Sequence, residues 1–169
     1  MIRPLTQPGG WPAMTLAVSL LAAGCTLSGH PPGTGGQAPH QQSSAAAAEY
    51  LAAAEPANRR LDAEVHSYAD HEHRNLAAAE AALRAEAGTE RWFDQCLLRI
   101  PLPPPVAATA QALVRANERR AALAVRQARS PTLAALQSFT RRRQSADAAV
   151  EAQVRALRRA LGLPPPTTS

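Results

Sequence analysis

The chain has 169 residues, 18 basic against 13 acidic, and a formal net charge of +5. Every basic residue is arginine, alanine occurs 39 times, and aromatic residues make up only 4%. The length suits one small domain, the alanine excess with few β-branched residues excludes a sheet-rich fold, and the absence of lysine reads as a compositional bias rather than a functional choice.

Arg3 precedes an apolar run at residues 13–23. A signal-peptide core takes about 7–15 residues, whereas a spanning helix needs roughly 20. The run closes in Leu20-Leu21-Ala22-Ala23-Gly24-Cys25. That ending resembles the lipobox of bacterial lipoproteins, although Ala22 stands where the lipobox most typically has leucine and Leu21 lies one residue further out. The resemblance implies removal of a signal peptide, residues 1–24, and a diacylglyceryl thioether on Cys25, often with a further amide-linked acyl chain such as palmitate. Each buried CH₂ contributes about 0.8 kcal/mol, so two or three chains hold where one holds only marginally. Thr26 follows the cysteine in place of the aspartate that commonly retains such proteins in an inner membrane. The implied location is the cell envelope: the periplasmic side of an outer membrane, or the outer leaflet of the plasma membrane in a single-membrane cell.

Residues 25–44 carry the cysteine and then a charge-free Gly/Pro/Gln/Ser stretch, which predicts a flexible tether. A helical domain is expected over 45–162. Its first helix spans about 45–87, kinked or restarted at Pro56 and stopped by Gly88, with Thr89 capping a short helix beyond. Leu61, Val65, Tyr68, Glu72, Leu76, Ala79 and Leu83 recur at steps of three and four, which is one helix face. Pro101 to Pro105 form a stiff extended linker, or a docking motif for a partner groove. A second helix is expected at about 106–129, and Ser130-Pro131 signals a third at 131–161. That third segment places Leu133, Leu136, Thr140, Arg143, Asp147, Val150, Val154, Leu157 and Leu161 in a heptad pattern with a polar middle. Glu72 of the first helix is the expected partner of Arg143. Gly162 closes the domain, and 163–169 reads as a disordered tail. The fold class is therefore all-α, an Ala/Arg-rich helical hairpin or short coiled-coil bundle. Alanine buries little area, so stabilisation at about 25 cal/mol per Å² is limited and self-association is an option.

Residues 45–99 hold ten carboxylates against six arginines, and residues 100–169 hold three against eleven. The two halves are complementary, which predicts an acidic helix set against a basic one. The surplus positive surface, carried by Arg141, Arg142, Arg143, Arg155, Arg158 and Arg159, suits anionic head groups or acidic polysaccharide. Nucleic acid is not expected beside an export signal and without interleaved aromatics. His66, Asp70 and His73, at i, i+4 and i+7 on one helix side, are the candidate ligands for zinc or nickel. Cys96 has no partner in the chain once Cys25 carries lipid, so it is a buried thiol or an intermolecular disulfide. No nucleophile motif or phosphate loop occurs, and no enzyme, cofactor or small-molecule substrate is expected. The sequence points to a lipid-anchored helical module with a structural or protein-docking role. The alternative is a periplasmic metal-binding protein.

Overall fold

The computed structural model describes residues 39–166; Cys25, the expected signal peptide and the first part of the expected tether lie outside them. The described residues contain helices α1 Pro39–His71, α2 Leu76–Leu97, α3 Pro104–Gln127, α4 Leu133–Gln137 and α5 Thr140–Ala160, and no strand. α1 packs on α2, α2 on α3 and α3 on α5. The connections are short, so successive long helices run antiparallel. α1 also reaches α5, where Tyr50 shares a buried apolar cluster with Val150 and Leu157.

The expected helix over 45–87 is in fact a hairpin. α1 starts earlier, inside the expected tether, and runs unbroken through Pro56. The hydrogen bond lost at a proline is tolerated because Ala54 and Ala57 on either side are buried against the core. α1 then ends at His71, and the turn closes with Asn75 N–H on the His71 carbonyl at 2.9 Å. Asn75 restarts the chain as an N-cap, its side chain accepting from Ala78 N–H at 3.1 Å. Asparagine is among the strongest N-cap residues, and here that local preference interrupts a hydrophobic face that continues across it. Gly88 does not stop the helix; it lies within α2. Thr89 is not a cap either, and donates instead to Glu64 Oε1 on α1 at 2.8 Å.

Pro103, at φ −56° and ψ 148°, carries the chain in extended form into α3, whose first residue is Pro104. Proline at the first helical position loses no intrahelical bond. The expected third helix is split in two. Thr132, not Ser130, is the N-cap of α4, accepting from Ala135 N–H at 3.1 Å. After Ser138 and Phe139 the chain re-enters a helix at Thr140. The heptad face survives the split, with Leu136, Arg143, Val150, Leu157 and Leu161 buried. Gly162, at φ +71°, ends α5. Its N–H reaches the Arg159 carbonyl and the Leu163 N–H reaches that of Arg158, the double closure of a Schellman motif. Leu163, the first residue of the expected tail, packs against the core.

Two apolar clusters fill the interior. One joins Tyr50, Phe93, Leu97, Leu113, Val150 and Leu157, with the Tyr50 and Phe93 rings edge to face at 6.3 Å. The other joins Leu83 and Leu136 to buried alanines of α2 and α3. Between them lies a charged layer.

Candidate functional site

The charged layer is built from three helices, the middle of α2, the later half of α3 and the first turns of α5. Glu86 and Glu90 stand one turn apart on α2, Arg120 projects from α3, and Arg143 and Asp147 stand one turn apart on α5. Arg143 Nη2 donates to both oxygens of Glu86, each at 2.9 Å. Arg120 serves three acids: its Nε donates to Glu90 Oε1, its Nη2 lies 3.6 Å from Glu86 Oε1, and its Nη1 lies 3.5 Å from Asp147 Oδ1. Glu86 and Glu90 are 1% and 2% exposed, and Arg143 is 9% exposed.

Three carboxylates thus face two guanidinium groups. Fully ionised, the layer carries one surplus negative charge, with Glu86 and Glu90 buried and Asp147 at its partly exposed edge. Burial pushes the Glu90 carboxyl up to about 7; Arg120 opposes the shift and Glu86 adds to it. Burial likewise raises Asp147, against the pull of Arg120 and Arg143. Burial works against the charge on Arg143, but Glu86 outweighs it and the guanidinium is held more firmly protonated than usual. One proton, held on Glu90, brings the layer to neutrality.

Polar contacts flank the layer on both sides. Asn117 Nδ2 donates to Asp94 Oδ1 at 2.7 Å, and burial raises the Asp94 carboxyl to about 6. Gln127 Nε2 donates to the Tyr68 hydroxyl at 2.8 Å and to the Leu136 carbonyl at 2.9 Å. The Arg143 guanidinium lies 5.6 Å from the Tyr68 ring centre. Acidic α2 therefore meets basic α3 and α5 within one chain, as the charge division of the sequence predicts. Such a layer fixes register, because sliding one helix by a turn strands a buried charge.

The partner of Arg143 is Glu86, and not Glu72 as the heptad reading has it. Glu72 falls in the turn after α1, 3.4 Å from His73 Nε2. Sequence reasoning missed Glu86, Glu90 and Arg120. The signal was present: continuing the steps of the first face from Leu83 gives Glu86, Glu90 and Leu97, but only if Gly88 is not read as a stop.

Arg143 is also no part of a basic surface. In the Arg141-Arg142-Arg143 run the first two side chains face out and the third faces in, as successive positions on a helix must. Arg155 is exposed beside Glu151 at 3.4 Å, Arg159 is exposed, and half-buried Arg158 donates through Nε to the Pro164 carbonyl at 2.7 Å.

The proposed metal face is not assembled as expected. His66 Nδ1 donates to the Asp62 carbonyl at 2.6 Å, and Asp70 is exposed. His73 lies beyond the end of α1, where its Nδ1 accepts from Gln137 Nε2 at 2.6 Å. The i+7 spacing requires a helix that persists through residue 73, and the turn removes it. Among the described residues no group of three or more His, Cys, Asp or Glu side chains is placed to hold a metal ion. Cys96 is half-buried and not in a disulfide within the described residues.

Fold and interior define an all-α bundle with a buried ionic layer. Comparison with protein-family models, curated proteins and solved structures returned no match for the chain.

Proposed function

We propose that the chain is a lipid-anchored protein of the cell envelope whose helical bundle serves a structural or docking role toward another envelope component. The observation that carries this reading is the Leu20–Cys25 ending of the apolar run. The distribution of charge supports the docking role. The α2 carboxylates Glu86, Glu90 and Asp94 turn inward, while Arg115, Arg119, Arg129, Arg141 and Arg142 remain exposed. Acids consumed inside leave the outer side of α3 and α5 positively charged, which suits an anionic partner in the envelope. No helix of the described residues is long and apolar enough to cross a membrane.

The test is cell fractionation of the native chain beside Cys25→Ala, with metabolic labelling by a radioactive fatty acid. The native chain is expected in the membrane fraction with label, and the variant without label and outside that fraction. A variant that stays with the membrane and a native chain that takes up no label overturn the reading.

A further inference from the structure

The outer groove between α3 and α5 combines cationic side chains in a way the ionic layer does not account for. It encloses about 310 Å³ and is lined by Arg119 and Arg126 from α3 and by Arg142 and Ser145 from α5, over a floor of alanine and Leu123. No carboxylate lines it. All three arginines are exposed, and none takes part in an ion pair among the described residues. Arg142 is braced by Phe139, whose ring centre lies 5.8 Å from the guanidinium. The nearest acid of α5, Asp147, is turned toward Arg120 on the interior side.

We propose that this groove is a binding site for a ligand carrying two or more phosphoryl charges. A guanidinium offers a planar fork of donors that matches phosphate oxygens. Arg119 and Arg126 are seven residues apart, about 10 Å along the helix axis, so two phosphoryl groups along one ligand engage both. Arg142 closes on them from α5, and the Ser145 hydroxyl adds a donor. The alanine floor lets an extended ligand lie close to the helices. A single carboxylate would leave most of the charge uncompensated, whereas a polyphosphate or a set of phospholipid head groups neutralises it. The site does not depend on whether Cys25 is lipidated.

Calorimetric titration of the full chain in non-ionic detergent tests the proposal. The probes are sodium tripolyphosphate, citrate, and mixed micelles containing phosphatidylglycerol or phosphatidylcholine. The variant R119Q/R126Q/R142Q is compared with R59Q/R91Q/R99Q, which removes the same charge from exposed positions outside the groove, and circular dichroism verifies that both stay folded. Tripolyphosphate is expected to bind the native chain, with affinity reduced about 10-fold or more in the groove variant and no more than about 3-fold in the control. Heat from phosphatidylglycerol but not phosphatidylcholine micelles, lost in the groove variant, assigns the site to a lipid head group; binding of tripolyphosphate alone assigns it to a soluble phosphate. Equal losses in the two variants, citrate binding as tightly as tripolyphosphate, or no binding of any probe overturns it.

Discussion

Removing Arg143 is the sharpest perturbation of this bundle. In Arg143→Met the side chain keeps its apolar length and loses its charge. Glu86, only 1% exposed, then forfeits both 2.9 Å contacts and keeps one guanidinium, Arg120 at 3.6 Å. Arg120 already serves Glu90 and Asp147, so three carboxylates come to share one positive charge. Breaking one side of a buried pair costs about 3–5 kcal/mol, against about 0–1 kcal/mol for an exposed pair. A domain of this size holds about 5–15 kcal/mol in total, so the variant is expected to lose a large share of its stability. The double variant E86L/R143M removes both charges and should recover to within about 1 kcal/mol of the native chain or exceed it. Urea unfolding followed by circular dichroism gives the free energies by linear extrapolation, and the four-member cycle isolates the coupling. A loss below about 1 kcal/mol in R143M, or no recovery in the double variant, refutes the argument that this is a buried pair holding the helices in register.

The layer and its flanking Asp94 also set a pH dependence. Glu90 and Asp94 titrate near 7 and 6 in the folded chain, against ordinary values of 4.5 and 3.8. The folded state therefore keeps protons that the unfolded chain releases, and stability falls as pH rises from about 4 to about 7. The expected decline from the two groups together is on the order of 6 kcal/mol, with a smaller slope in Glu90→Gln; thermal unfolding across that range measures it, and a melting temperature that climbs through it contradicts the sign. The two described glycines of the bundle should respond oppositely to alanine. Gly88 lies within α2 with nothing within 4 Å of an added Cβ, so Gly88→Ala should stabilise by about 1 kcal/mol. Gly162 sits at φ +71°, so Gly162→Ala should destabilise by about 1 kcal/mol.

Helical class and the heptad face of the last segment were legible because their signals are periodic and dense. Leu136, Val150, Leu157 and Leu161 recur at the right intervals and all are buried. The breaks were harder to read, since a hairpin turn competes with the same periodicity. Asn75 ends a face that Tyr68, Leu76 and Ala79 continue on either side, and its capping bond decides the outcome. Local propensity marks Pro56 and Gly88 as interruptions, and tertiary packing overrides both. The charged layer was legible in kind, a polar middle in an apolar heptad, but its partner was not. Glu72 and Glu86 both fall on the extended 3–4 pattern, and only the turn at 72–75 determines which of them reaches α5. The three arginines of the outer groove are scattered over two helices, and no spacing within one segment brings them together.

Alanine at the packed positions has a consequence for how this fold tolerates change. Ala79, Ala87, Ala121, Ala124 and Ala128 are at most 1% exposed and belong to one cluster in which Leu83 and Leu136 are the bulky buried members, with Tyr68, Leu76 and Val125 packed against its edge. Helices separated by methyl groups leave no slack for a longer side chain, so enlargement at these sites is worse than truncation. A leucine-rich interior fails mainly by loss of volume, as the cluster around Leu97, Leu113 and Leu157 should; this alanine-lined one fails by gain. Shape exclusion, rather than oiliness, defines this second cluster, so a substitution there is judged by the volume it adds.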